Sequence, residues 1–196
     1  MDKIRCFGSG DPLYEKYHDE EWGRPVVDSP DERDLFERLA LEGFQAGLSW
    51  ITILRRRESF RRAFAGFAPA EVAAFDESDV ERLMADAAII RNRAKIEAAI
   101  GNARALLALH EEGRRLGDVV AAHAPEPRDE RPETFDEVPG STPESVALSK
   151  ELKRLGFRFV GPVTMYATMQ AVGLVDDHLA GCWLVSGDDE GLVAAR

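Results

Sequence analysis

The sequence predicts an all-α protein. Three observations carry that reading: apolar residues recur at helical spacing, helix-opening signatures punctuate the chain, and neither strand patterns nor internal repeats occur. With 196 residues and an apolar fraction of 44%, the chain suits one large domain or two small lobes around a core.

Ser29-Pro30-Asp31-Glu32 reads as an N-cap, a proline at the first helical position and a capping-box glutamate, opening a helix that runs to about Ala46. Within it Leu35, Leu39, Glu42 and Ala46 fall at i, i+4, i+7 and i+11, which puts an acid on an apolar face. The chain then breaks at Gly47-Leu48-Ser49, and a second helix runs from about Ser49 to Phe64. Ala68-Pro69-Ala70 starts a short helix, and Ser78-Asp79-Val80-Glu81 reads as a second capping box. Residues 86–112 contain no proline and end at Gly113, which suits a C′ cap; they read as a tight hairpin at 90–93 leading into a long amphipathic helix. Residues 124–143 carry five prolines and many acids and read as a connection between two lobes. Thr142-Pro143-Glu144 opens a helix ending at Gly156, and VTMYATMQAVG makes the last substantial one.

The net charge is 25 minus 36, or −11, which taken alone argues against a nucleic-acid partner. The distribution matters more than the sum. Arg55, Arg56, Arg57, Arg61 and Arg62 crowd one stretch, Arg91, Arg93 and Lys95 a second, and Lys150, Lys153, Arg154 and Arg158 a third, while acids gather at 129–144 and 188–190. No stretch approaches the roughly 20 apolar residues of a membrane span, and MDKIRCFGSGDP lacks the apolar core of a signal peptide. The expected location is cytoplasmic.

Cys6 and Cys182 are too few for a disulfide framework, although one bridge between them is an alternative. They accompany two of the four histidines: Cys6 is followed by His18, and His178 precedes Cys182 at i, i+4, a spacing that puts both side chains on one face of a helical turn. Two sulfurs and two imidazoles form the closed tetrahedral set of structural zinc. Two buried cysteines beside surface histidines is the other reading of the same spacing. His18-Asp19-Glu20 matches half of the nucleoside-deaminase signature, but the P-C-x-x-C partner is missing, which excludes that chemistry.

Tyr14, Tyr17 and Trp22 cluster beside the first of these pairs, and Trp50 lies just past Glu42. Such rings stack on planar bases or attract cations with their faces, although aromatic residues at these spacings also build plain core.

Taken in order, DPLYEKYHDEEWG, LEGFQAGLSWITILRRRE, IIRNRAKIEAAIGNARA, LSKELKRLGFRFVG and MQAVGLVDDHLAGC resemble the successive motifs of the 3-methyladenine DNA glycosylase I family, over nearly the whole span from Arg5 to about Cys182. The resemblance implies a helix-hairpin-helix glycosylase fold in one domain of two lobes. A helical lobe would take residues 28–123 with its hairpin at 88–95, and a zinc-containing lobe residues 1–27 and 142–185, joined by 124–143. It implies one structural zinc ion on Cys6, His18, His178 and Cys182. It makes Glu42 the acid of the base pocket, with Tyr14, Tyr17, Trp22 and Trp50 as its walls. Gly47 and Leu48 become the loop that enters the duplex, and Arg91, Asn92, Arg93 and Lys95 the hairpin that grips the DNA backbone.

The activity implied is excision of N3-methyladenine from alkylated double-stranded DNA, the first step of base excision repair, by a protein expected to act as a monomer and not on membranes. Residues 87–117 hold no aspartate where many helix-hairpin-helix glycosylases carry a catalytic one, and no lysine has a motif-supported claim as a Schiff-base nucleophile. The expectation is therefore a monofunctional enzyme that leaves an abasic site. Two competing readings are a zinc-fastened protein that binds alkyl lesions without excision and a glycosylase for another cationic alkylpurine, such as N7-methylguanine. Phe7 stands near where relatives carry a tryptophan, and Ala167 where they often have serine. Ala88 and Ala94 replace frequent glycines, and a left-handed backbone would strain an alanine there.

Overall fold

The computed structural model describes residues 3–29 and 31–186. Pro30 and the acidic run at 188–190 lie outside the described residues. Among those described there are helices and no strands, and no helix is long and apolar enough to cross a membrane.

The first helix, α1 (Pro12–Glu20), opens on Asp11, whose carboxylate accepts from the backbone N–H groups of Leu13 and Tyr14. Next comes α2 (Arg33–Gln45), which starts later than the sequence predicts and has no side-chain cap. The carboxylate expected to close a capping box turns inward instead: Glu32 is buried and accepts from Gly117 N at 2.6 Å.

The single helix expected after Ser49 is two, α3 (Trp50–Leu54) and α4 (Arg57–Ala63). The break at Arg55 and Arg56 lets Arg57 turn inward, where it pairs with Glu37 at 2.5 Å and with Glu21. Then come α5 (Pro69–Ala73) and α6 (Glu77–Ala85). The cap of α6 is Asp76 rather than Ser78, and Asp79 completes the capping box. A turn within residues 86–92, where the sequence predicts a hairpin, leads into α7 (Arg93–Glu111), capped by Asn92, and Gly113 follows its end with φ 71°. Ala88 and Ala94 are not among the residues with positive φ, so neither carries the expected left-handed strain.

After α8 (Leu116–Ala121), which the sequence reading passes over, residues 124–142 form an extended path with one short 3-10 helix at Phe135–Glu137. The chain then forms α9 (Pro143–Arg154), α10 (Pro162–Ala171) and α11 (Trp183–Ser186). The capping box expected at Thr142 is present, with Ser145 as its second member.

Every residue of α2 from Leu35 to Phe44 is buried, which makes it the central helix. It lies against α3, α7 and α10; α7 packs in turn on α5 and α6, and α10 on α9. Phe44, Phe60, Phe64 and Phe67 form a connected aromatic core, with Phe44 and Phe60 centroids 4.6 Å apart. Burying each such ring contributes roughly 1.5–3 kcal/mol. This rigid centre holds Glu42 at the end of α2 that faces α1, α3 and α10.

Candidate active site

Glu42 borders a cavity of about 280 Å³, close to the lower bound of small-molecule sites, roughly 300–1,000 Å³. Tyr14 and Tyr17 reach it from α1, Trp22 from the turn that follows, Trp50 from α3, and Ala167 and Gln170 from α10. Gln45 lines it from the end of α2, Phe7 from a loop and Phe135 from the short 3-10 helix. The rings form a continuous lining: Tyr17 and Trp50 centroids are 5.2 Å apart, Phe7 and Tyr14 4.9 Å, Phe7 and Trp22 5.0 Å, and Phe7 and Phe135 6.3 Å. A planar ligand entering this space meets π faces, with Glu42, Gln45, Gln170 and the unpartnered Trp50 Nε1 as polar groups beside them.

Glu42 is the one carboxyl among the lining residues. It is 6% exposed and accepts no hydrogen bond among the described residues. Burial pushes its carboxyl up to about 8, and the positive charge of Arg38 offsets only part of that shift. Arg38 donates from Nη1 to the carbonyl oxygens of Ala171 at 2.6 Å and Glu21 at 3.2 Å, and pairs through Nη2 with Asp34 at 3.6 Å. Burial, reinforced by the charge of Glu42, also raises the Tyr14 and Tyr17 hydroxyls above the ordinary tyrosine range, so both stay neutral. A buried carboxyl without a partner is costly, and a cationic or N–H-bearing ligand is what relieves the cost here.

A second constellation lies behind this wall. One ligand atom from each of Cys6, His18, His178 and Cys182 falls within 4.8 Å of all the others. Cys6 Sγ is 3.5 Å from His178 Nδ1, and Cys182 Sγ is 3.5 Å from His18 Nε2 and 3.7 Å from His178 Nδ1. Zinc bonds of about 2.3 Å to sulfur and 2.0–2.1 Å to nitrogen, set tetrahedrally, require sulfur–nitrogen edges of about 3.6 Å, so the donor set fits the ion. Both thiols are free, which removes the bridge alternative.

The surroundings suit ligation. His18 Nδ1 donates to Asp19 Oδ1 at 2.9 Å, leaving Nε2 as the ligand atom. Burial opposes the charge on Asp19, but Arg5, His18 and Trp183 outweigh it and hold the carboxyl well below its usual range. Burial also lowers His18 and pushes His178 down to about 4, keeping both imidazoles neutral, and pushes the Cys6 thiol up to about 12, a balance that a bound cation reverses. His178 and Cys182 are not on a helical turn; a loop turn in which Cys182 N donates to Leu179 O brings them together.

On the outer side, Gly47 takes φ 82° and the next residue, Leu48, is 41% exposed. A left-handed backbone of this kind favours glycine and turns the chain sharply out of α2. Before α7, Asn92 caps the helix through Lys95 N. Lys95 is buried, and its Nζ donates to the carbonyl oxygens of Phe44 at 2.9 Å and Ala46 at 2.6 Å. Arg93 pairs with Glu77 at 2.7 Å and with Glu81. Arg91 is exposed and forms no ion pair among the described residues.

A family model described as methyladenine glycosylase matches residues 7–185. The chain belongs to the methyladenine glycosylase family. It is 51% identical over 186 residues to a protein named DNA-3-methyladenine glycosylase 1 of Escherichia coli K12, covering 94% of this chain and 98% of that one. A crystal structure of 3-methyladenine DNA glycosylase I superimposes with a TM-score of 0.87 at 49% identity, covering 92% of this chain and 98% of that one. A variant of 3-methyladenine DNA glycosylase I, solved in complex with 3-methyladenine, superimposes with a TM-score of 0.83 at 37% identity, covering 90% of this chain and 94% of that one.

In this methyladenine glycosylase family member the sequence-predicted residues fall into three groups. Glu42, Tyr14, Tyr17, Trp22 and Trp50 share the cavity, and the four cysteine and histidine donors share the cluster. Gly47, Leu48, Arg91, Asn92, Arg93 and Lys95 lie outside both, with the Lys95 ammonium turned inward. Three wall residues escape sequence reasoning: Gln45, Phe135 and Gln170. Phe135 carries a visible signal, one aromatic ring in an acidic, proline-rich stretch; Gln45 and Gln170 carry none.

Proposed function

We propose that the protein is a monofunctional DNA N-glycosylase of the helix-hairpin-helix type that excises N3-methyladenine from alkylated double-stranded DNA and leaves an abasic site. The observation that carries this reading is Glu42, a buried carboxyl without a hydrogen-bond partner on the wall of an aromatic cavity. Such a site favours a planar cation, and N3-methyladenine in DNA carries a formal positive charge that neutral adenine lacks.

A base inside a duplex cannot reach this cavity, so the nucleotide must be extruded, which costs least for a poorly paired, damaged base. Leu48, exposed on the turn at Gly47, supplies a wedge for the vacated space. Arg91 and the backbone N–H groups at the start of α7 offer phosphate contacts. The methylated base leaves without prior protonation. Glu42 accepts hydrogen bonds from it and, as a carboxylate, stabilises positive charge developing on the sugar while water attacks. Zinc, when bound by Cys6, His18, His178 and Cys182, supplies cross-linking alone, since four protein donors leave no open position.

Incubation of metal-replete protein with methylated duplex DNA, followed by chromatography of the supernatant, is expected to show free 3-methyladenine. DNA that is bound while no base is released would overturn the reading.

A further inference from the structure

A buried carboxylate that the proposed mechanism does not use fixes the direction of an amide bordering the cavity. Asp177 is 1% exposed. Its Oδ2 accepts from Tyr166 Oη and from Gln170 Nε2, each at 2.7 Å, and Arg128 Nη1 lies 3.0 Å from its Oδ1. A carboxylate beside a guanidinium only accepts, so the part of the Gln170 amide that faces it is the NH2 group. The carbonyl Oε1 then has no protein partner among the described residues, yet it is not one of the buried atoms left unpaired. The open space that Gln170 borders is the cavity holding Glu42. One helical turn earlier Ala167 offers that cavity only a methyl group, so on the α10 wall the amide is the polar element.

We propose that Gln170, with its carbonyl oxygen held toward the cavity by Asp177, is a specificity-determining residue that accepts a hydrogen bond from the 6-amino group of an adenine-type lesion and repels the 6-oxo group of a guanine-type lesion. The proposal rests on the glycosylase reading and deepens it. Adenine presents an N6 amino donor where guanine presents an O6 acceptor. At Gln170 Oε1 the amino group finds an acceptor while the oxo group meets one more acceptor; Gln45, Tyr14, Tyr17 and Trp50 also border the cavity. Discrimination by a missing partner exceeds what an apolar wall provides. Asp177, with Tyr166 and Arg128 around it, acts as a positioning residue.

The test compares release rates of 3-methyladenine and 3-methylguanine from one preparation of methylated duplex DNA by wild type, Gln170→Met and Asp177→Asn, each checked for metal content and melting temperature. Gln170→Met keeps side-chain length and removes the amide, and the preference for 3-methyladenine is expected to fall roughly tenfold. In Asp177→Asn, the positive charge of Arg128, 3.0 Å from the Oδ1 position without a hydrogen bond to it, favours the asparagine oxygen there, which turns the asparagine NH2 toward Gln170 and inverts that amide. The cavity then receives a donor, and 3-methylguanine release is expected to rise above the wild-type rate. A folded Gln170→Met with an unchanged ratio overturns the proposal while leaving the activity reading intact, whatever the fate of Asp177→Asn. A wild type that releases neither base overturns both.

Discussion

Lys95 donates from Nζ to the carbonyl oxygen of Phe44 at 2.9 Å, tying the first turn of α7 to the last turn of the helix that carries Glu42. The negative end of the α2 dipole is complemented by this ammonium, which also reaches Ala46 O at 2.6 Å. Lys95→Met keeps the apolar stem and leaves two carbonyl groups without their donor. It is expected to lower the unfolding free energy by about 2 kcal/mol, read by urea denaturation. The salt dependence of DNA binding is expected to stay at its wild-type value, because this charge faces inward.

Arg91 and Arg93 separate in the same measurement. Arg93 is already neutralised by Glu77 and Glu81, whereas Arg91 is exposed and forms no ion pair among the described residues. Arg91→Ala is expected to reduce the slope of log K against log salt concentration by about 1, and Arg93→Ala by much less. Equal effects of the two substitutions would contradict this assignment.

The carboxyl of Glu42, pushed up to about 8 by burial, predicts two pH profiles. The folded state holds a proton that the unfolded chain loses near pH 4.5, so the contribution to stability is complete below that value and is lost as pH rises toward 8. Glu42→Gln removes the titration, and its unfolding free energy relative to wild type should climb across that window, by up to roughly 5 kcal/mol above it. The kcat/KM for excision reports ionisation of the free enzyme. It should therefore rise with pH and level off above about 8 in the wild type, while Glu42→Gln excises slowly at every pH. A wild-type profile that is flat through this range would remove the Glu42 carboxylate from the mechanism.

Elemental analysis of the purified protein is expected to give about one zinc per chain, bound by the four clustered donors. Chelation should lower stability by about 4 kcal/mol or more, as expected for removal of a ligand present at a thousandfold its dissociation constant. Cys6→Ser should lose the metal without unfolding α7, whose neighbours are α2, α5 and α6. Well-folded protein with a stoichiometry near zero would sink the site.

Local periodicity suffices to read α2 and its buried acid, because Leu35, Leu39 and Glu42 announce a helix face within one segment. The break at Arg55 and Arg56 is not legible, since it depends on Arg57 meeting Glu37 and Glu21 from other helices. The cap of α6 is not decided by the sequence: Asp76, Ser78 and Asp79 all have suitable side chains, and only the structure shows that Asp76 Oδ1 meets the N–H groups. Asp11-Pro12 signals a helix start that the aromatic motif after it obscures. The four metal-type residues are visible by type and spacing, but not the loop that joins the last two. Gln170 lies beyond sequence reasoning because its role depends on Asp177 fixing which way an amide points.

The cavity draws Phe7, Tyr14, Tyr17 and Trp22 from near one end of the described residues and Ala167 and Gln170 from near the other, with Cys6 and Cys182 meeting behind them. Eight of the ten residues that line the cavity precede α9 in sequence, whereas Ala167 and Gln170 lie on α10. Completion of the cavity therefore depends on α10 docking against α2, a contact between segments far apart in sequence.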